Sequence, residues 1–529
     1  MKGKALLANM GFVLQMSGVF IILPIIISFI YNEMVATIAL FVTAIVFLVL
    51  GFLLNAWCER KELTYKQSCA LIVLVFISLS IIGAIPYIYI NISQGDLLNN
   101  ITDSLFESTS GFTSTGFSII SNLSTIPKSI IFYRALTQFI GGIGIVLVLL
   151  AFFYPEAKLI EFFRGMGFGQ NRKIKRTFFF ILLIYFIYTI VLILIGFIFG
   201  YHDIINLVSF IFSALSTGGF APINDITTSV TQFPLNYILI LGMILGAVNF
   251  FVLAGLFKGK IKEFFKSESS VFLVLLIFSV AFVTFAFKLP LFDSLFHVVS
   301  AMSTTGFSYL SISNFSDGLK IFLVFLIFVG GASFSTAGGI KIYRFLLIFK
   351  AAKKVIVDNI TGQDTSLTLF GKKYSNVEII QSLIVVVSWV GLIFGSSFII
   401  SLYGFHPIDA IFDTTSALST TGLSAGVAGP SLALELKWLF VFLMILGRVE
   451  ILAFFIMFSR TKEPTIKNNA KMITLTENVM KTNKITQQFK CSKCGNIITY
   501  VGLPGENLTI TCSSCGTKGK VAIQGIIQK

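Results

Sequence analysis

The sequence predicts an all-α polytopic membrane protein with ten transmembrane helices: two at the N-terminus, then four helix, pore-loop, helix repeats around one pore, with a small β tail after them. Three observations carry that prediction. Of 529 residues, 56% are hydrophobic and only 12% charged, with mean hydropathy +0.91, which excludes soluble, secreted, fibrous and disordered chains. A pattern ending in Ser/Thr-Gly recurs four times between apolar stretches, and two Cys-x-x-Cys pairs stand in a basic segment after the last stretch.

A hydrocarbon core about 30 Å thick takes about 20 apolar residues per helical crossing. Ten such segments run over 8–31, 34–57, 68–92, 128–153, 176–200, 232–257, 270–289, 318–350, 377–403 and 434–459. The first has no small-residue cleavage site and reads as a retained anchor rather than a signal peptide. An even count leaves both termini on one side. The connections near 60 and over 158–176, 258–266, 350–373 and 460 onward hold Arg60, Arg172, Lys258 and Lys353 among other basic residues, so they and both termini face the cytoplasm of a cell-membrane protein. The opposite windows, 91–127, 201–231, 291–319 and 404–436, hold no Lys or Arg and ten acids, which read as a cation-concentrating outer face or as solvated loops. His202, His297 and His406 fall in the same windows and read as surface residues.

Each outer window contains the same repeat. Asp103 to Gly116, Asn206 to Gly219, Asp293 to Gly306 and Asp409 to Gly422 are all separated by 13 positions, and a serine recurs seven residues in, at Ser110, Ser213, Ser300 and Ser416. The glycine closes a run of small residues: Thr113-Ser114-Thr115-Gly116, Ser216-Thr217-Gly218-Gly219, Ser303-Thr304-Thr305-Gly306 and Ser419-Thr420-Thr421-Gly422. The leading segment of about ten residues spans only about 15 Å as a helix, too short to cross, so it dips in and the chain returns as an extended loop. Irregular backbone at membrane depth survives only when buried in protein or lining a watery cavity, so the four loops should meet around one axis. Their carbonyls can then replace a cation's hydration shell, and the helix C-termini add negative potential. Tight helix packing through small residues accounts for any one loop; four in equal register favour a filter.

Two features interrupt the apolar spans. Gly330, Gly331, Gly338 and Gly339 surround Ala-Ser-Phe-Ser-Thr-Ala, and each glycine costs a helix about 1 kcal/mol relative to Ala, so the eighth span should break into a loop below the filter. Ser333, Ser335 and Thr336 supply hydroxyls there, and Lys341 follows with a charge. A tight crossing of small residues is the alternative. Arg448 lies in an apolar span and must face protein or water. It either pairs with Glu450 or caps carbonyls, or it projects toward the pore.

Four such repeats after two extra helices resemble the Trk/Ktr/HKT superfamily of potassium transporters, and within its Trk branch the TrkH-like membrane subunit, over about residues 1–460. The motifs Gln138-FIGGIGIV, Asn249-Phe250, Gly330-GASFSTAGGIK and Gly447-Arg448-Val-Glu450-Ile agree with it; Gly218 in the second run and Leu423 in place of Phe are mild departures. The resemblance implies potassium uptake, because glycine stands at all four filter positions, with the 330–341 loop as gate and Arg448 tuning cation occupancy. It also implies a homodimer seated on a cytoplasmic nucleotide-binding regulatory subunit (TrkA-like). A sodium or sodium-coupled transporter of the same architecture is the rival. The chain then divides into two N-terminal helices (1–67), pore repeats over 68–157, 176–262, 268–355 and 375–460, a linker over 463–488 and a tail domain over 489–529.

In that tail Cys491, Cys494, Cys512 and Cys515 form two pairs 17 residues apart, each followed by glycine, the spacing of a tetrahedral zinc ribbon. Segments 497–501, 508–511 and 520–523 read as its strands. A disulfide is the alternative, disfavoured in a reducing cytoplasm. Residues 460–529 carry 11 Lys/Arg against 3 acids, more than half of the net +15, yet tethering to a membrane favours a protein contact over nucleic acid. An enzyme is not expected, since there is neither a His-Glu-x-x-His motif nor an intramembrane Asp pair. Nor does a zinc-dependent sensor need ten spans and four loops as an anchor.

Overall fold

The computed structural model describes residues 2–58, 63–93, 95–144, 174–256, 259, 261–362, 366–459, 485–490, 497–502, 507–511 and 518–522, in two units, Met1–Phe458 and Ser459–Lys529. The first unit opens with helices α1 (Lys2–Phe20), α2 (Ile22–Ile30) and α3 (Met34–Trp57). Glycine lets α1 and α3 approach backbone to backbone: a Cβ on Gly11 would lie 2.7 Å from the Gly51 carbonyl oxygen, and one on Gly51 2.6 Å from that of Gly11. With the Asn55–Gln15 hydrogen bond at 2.9 Å, this small-residue contact holds helices together where apolar faces gain nothing over lipid.

Four repeats follow. The first comprises α4 (Tyr65–Gly83), α5 (Ile85–Ile90), the short helix α6 (Leu97–Phe112), α7 (Lys128–Phe139) and a π-helical turn over Ile140–Gly144. The second has α8 (Ile174–Ile198), short helix α9 (Ile204–Leu215), α10 (Thr227–Thr231), α11 (Leu235–Ala247) and α12 (Phe250–Leu256), and α13 (Ile261–Phe265) leads out of it. The third has α14 (Glu268–Ala286), short helix α15 (Leu291–Met302), α16 (Asp317–Val329) and α17 (Ile342–Thr361). A two-residue-strand hairpin, β1 (Thr368–Leu369) with β2 (Lys372–Lys373), precedes the fourth: α18 (Asn376–Leu402), short helix α19 (Pro407–Leu418), α20 (Leu434–Val449) and α21 (Ile451–Phe458). Capping boxes at Thr64–Gln67 and Ser375–Glu378 start α4 and α18, and Asp96 caps α6. The four short helices bury polar residues, Ser110, Ser213, Ser300 and Ser416 all being 0% exposed.

Among the described residues five unbroken helices are long and apolar enough to cross a membrane, and seven if two bent pairs each count as one span. Those pairs depart from the expected continuous spans: α11 and α12 meet at 109°, α20 and α21 at 93°. The expected span over 318–350 is broken between Val329 and Ile342 as its glycines require, and that over 128–153 is described only as far as Gly144. The short helices are longer than ten residues, and α6 begins six positions before Asp103, at Leu97, because Asp96 supplies the cap.

The second unit contains two antiparallel hairpins, β3 (Ile485–Lys490) with β4 (Ile497–Gly502), and β5 (Asn507–Thr511) with β6 (Lys518–Ala522). Three of these strands fall where the alternating pattern puts them. The fourth, β3, starts inside the expected linker, because Ile485 to Lys490 ladder onto β4.

Candidate ion-conducting site

All four short helices end in one turn. Ser114, Thr217, Thr304 and Thr420 adopt left-handed φ values of 54°, 51°, 55° and 50°. The N–H of the next residue (Thr115, Gly218, Thr305, Thr421) donates to the carbonyl of the recurring serine at 2.9, 2.8, 2.9 and 2.8 Å, which is the six-to-one bond of a Schellman cap. The serine hydroxyl then tightens the loop locally: Ser110 Oγ accepts from the Gly116 N–H at 3.0 Å, and Ser300 Oγ donates to the Phe307 carbonyl at 2.6 Å.

Gly116, Gly219, Gly306 and Gly422 follow at φ of 96°, 75°, 94° and 84°. They meet. A Cβ on Gly116 would overlap the carbonyl oxygen of Gly218, one on Gly219 that of Thr305, one on Gly306 that of Thr421, and one on Gly422 that of Thr115. The loops thus close a ring in chain order, one to two to three to four to one. Each glycine is required twice, by its dihedral and by its neighbour's backbone.

Buried carboxylates brace the chain beyond the ring. Nine residues before the glycine stand Glu107 in repeat one and Asp413 in repeat four. Glu107 accepts from the Ile119 N–H and Ser118 Oγ, both at 3.2 Å, and Asp413 from the Ala425 N–H at 2.6 Å and Ser424 Oγ at 2.7 Å. Arg134 pairs with Glu107 at 2.7 Å, with side chains 1% and 0% exposed. The same register in repeat three holds His297, so this histidine is 2% exposed rather than at the surface, whereas His202 and His406 are exposed. Two acids of the outer windows are paired across repeats. Asp103 pairs with Lys437 at 2.6 Å and Asp409 with Lys320 at 2.7 Å. Both lysines lie one residue past the basic-free windows, on the long helix of the preceding repeat in the ring, so the acids join repeats.

On the other side of the ring the inner helices of repeats two, three and four are interrupted, and that of repeat one turns π-helical over Ile140–Gly144. The loop over 330–341 is the longest interruption. Ala332 and Thr336 donate backbone N–H groups to the Ala247 and Gly246 carbonyls at 3.0 Å each, and Thr336 Oγ1 donates to the Leu215 carbonyl at 2.9 Å. The Gly338 N–H donates to Thr304 Oγ1 at 2.6 Å, and a Cβ on Gly338 would overlap the Ser419 carbonyl, so the loop lies directly against the turns of repeats three and four. Glu268 holds both its ends, accepting from the Ser333 and Tyr343 N–H groups at 2.9 Å each. Lys341 has φ of 78° and donates back to the Ala337 carbonyl. Arg448 caps carbonyls, donating to Thr336 at 3.1 Å and to Gly141 and Gly142 at 2.6 and 2.7 Å. It does not pair with Glu450, which sits with Arg344 at 2.5 Å.

Residues 267–468 match the TrkH family, described as a cation transport protein. An uncharacterized cation transporter of Methanocaldococcus jannaschii is 30% identical over 475 residues, covering 88% of this chain and 97% of that protein. The chain belongs to the TrkH family. The Trk system potassium uptake protein TrkH of Escherichia coli is 26% identical over 476 residues, covering 85% of this chain and 96% of that protein. The crystal structure of the potassium transporter TrkH from Vibrio parahaemolyticus shares the fold with a TM-score of 0.76 at 21% identity, covering 87% of this chain and 99% of that one. TrkH-family proteins are membrane cation transporters rather than enzymes, and the apolar helices of this chain make it a multi-pass member.

Three residues of this TrkH-family site carry no role in the sequence reading. Glu268 begins an apolar helix, while Gln138 and Arg344 stand in or beside motifs with nothing local to show their partners. Cys491, Cys494, Cys512 and Cys515 lie outside the described residues, among which no group of three or more His, Cys, Asp or Glu suits a metal ion.

Proposed function

We propose that this protein takes up potassium across the cell membrane through a channel-like pore, with the four glycine turns as selectivity filter and the 330–341 loop as gate. The observation that carries this reading is the closed ring: four backbones brought together, each glycine standing where a Cβ would overlap a carbonyl oxygen of the next repeat. Residues Thr113 to Gly116, Ser216 to Gly219, Ser303 to Gly306 and Ser419 to Gly422 form the filter. Gly330, Gly331, Ser333, Ser335, Thr336, Gly338, Gly339 and Lys341 belong to the gate, and Arg448 to the charge beside it. The potassium uptake proteins among its relatives support the choice of ion. Both termini are assigned to the cytoplasm, where the basic connections of a homodimer meet a TrkA-like nucleotide-binding subunit.

One Cys-x-x-Cys pair lies in the sequence between Lys490 and Ile497 and the other between Thr511 and Lys518, which supports a reading of one zinc held by Cys491, Cys494, Cys512 and Cys515. Potassium, rubidium and sodium fluxes into proteoliposomes test the main reading: rubidium and potassium should pass well above sodium, and sodium-dependent or sodium-preferring flux would replace it with the sodium-transporter alternative.

A further inference from the structure

The four filter turns are alike in backbone but not in how their side chains are tied. In repeat one Thr113 and Thr115 share a hydroxyl hydrogen bond at 2.7 Å, and in repeat three Ser303 and Thr305 do the same at 2.7 Å. Repeat two has Gly218 at the second of these positions and cannot form that bond. In its place stands Gln138, from α7 of repeat one, 0% exposed. Its Nε2 donates to the Gly218 carbonyl at 2.6 Å, and its Oε1 accepts from Ser213 Oγ at 2.7 Å and from the Phe220 N–H at 3.1 Å. Only this orientation of the amide matches an acceptor on one side and two donors on the other. Its own carbonyl accepts from Ser114 Oγ at 3.2 Å, so one residue joins the turns of repeats one and two. A Cβ on Gly218 would overlap the Gln138 carboxamide, so glutamine and glycine are complementary: the amide fills the volume that threonine fills elsewhere.

We infer that Gln138 is a positioning residue for ion selectivity, bonded on both sides of Gly219 and setting the second filter turn from outside its own repeat. This rests on the reading of the glycine ring as a filter.

Gln138→Met keeps the volume and removes the bonds. The potassium-to-sodium permeability ratio, taken from reversal potentials of the full-length protein in bilayers, should fall about five-fold, the factor one net hydrogen bond is worth. Gly218→Thr alone should lose transport through overlap with Gln138, and Gln138→Ala with Gly218→Thr should recover selective flux. Gly116→Ser serves as the control on the filter. A parental ratio in folded Gln138→Met beside a shifted ratio in Gly116→Ser overturns the role of Gln138 and leaves the filter standing. A parental ratio in both overturns the filter reading and this one with it. If Gln138→Met does not fold, the double variant decides: recovery supports the proposal, and behaviour no better than Gly218→Thr alone overturns it.

Discussion

The two ends of the repeat behave differently. On the side of the short helices, Ser114, Thr217, Thr304 and Thr420 share φ within 5° and the four Schellman bonds agree within 0.1 Å. On the inner side the four long helices differ: that of repeat one runs into a π-helical turn over Ile140–Gly144, where its described residues end, and the others carry a 109° bend before Phe250, a loop from Gly330 to Lys341, and a 93° bend at Glu450, whose φ is 62°. The backbone of the turn is decided by residues within 14 positions of one another, with Gln138 added from outside in repeat two, so repeating the sequence repeats the structure. The break is decided by what other repeats bring to it: Arg448 acts on the Ile140–Gly144 turn and on the 330–341 loop, and Glu268 on that loop alone. A selective ring needs four equal members, whereas an obstruction needs only one.

The largest effect should come from breaking the equality of the ring. Gly306→Ala places a Cβ on the Thr421 carbonyl and holds a side chain at φ of 94°, a strain of roughly 1–3 kcal/mol before the overlap is counted. Rubidium uptake per folded molecule should fall more than about ten-fold. Gly395→Ala in α18, where a Cβ would meet nothing within 4 Å, should transport at the parental rate. Equal behaviour of the two variants would remove the functional reading of the ring.

Next in size is Arg448→Ala, which takes a charged donor from the Thr336, Gly141 and Gly142 carbonyls, each such bond being worth about 1.5–3 kcal/mol. Flux per folded molecule should rise several-fold while the thermal midpoint falls. A lowered midpoint with unchanged conduction assigns Arg448 to packing alone. Glu268→Ala should act in the same direction more weakly, since it leaves two backbone N–H groups at the ends of the loop without their acceptor, about 1–3 kcal/mol each, and touches no residue of the ring. The permeability ratio of Glu268→Ala should stay parental. A shifted ratio would mean that the loop and the filter are one element.

The same division decides what the sequence makes legible. The recurrent Ser, the Ser/Thr run and the glycine are local, and the structure keeps each of them in the predicted register. The broken eighth span is local too, because four glycines lie within ten positions. The bends at Val248 and Glu450 carry no glycine run and arise from tertiary contacts, so the apolar count reads through them. The acids at Asp103 and Asp409 read as free because their lysines belong to a different repeat, and His297 reads as exposed because its burial follows from the brace position of its short helix.

Those ion pairs belong to the ring's side of the comparison and should affect stability without conduction. Lys437→Met leaves Asp103, 10% exposed at its side chain, buried without its partner, at a cost of about 3–5 kcal/mol. Lys437→Met with Asp103→Asn should recover much of the loss, because the charge goes with its partner. Thermal unfolding of the two variants in detergent, beside flux per folded molecule, gives the coupling. A change in selectivity in the double variant would bring these residues into the permeation path.

The smallest effect on transport is expected from the unit beyond Phe458. Among the described residues of that unit β3 pairs with β4 and β5 with β6, and the ring and the 330–341 loop are built from residues of the first unit. A chain ending at residue 462 should therefore conduct at the parental rate and ratio. On the proposed zinc reading the metal contributes folding free energy to the tail, since an isolated two-stranded hairpin is marginally stable. Elemental analysis of the full-length protein should find one zinc per chain and little after Cys512→Ser, with rubidium flux unchanged in both the substituted and the truncated protein. Loss of flux on truncation would make the tail part of the transport machinery, and zinc retained in Cys512→Ser would move the metal to another site.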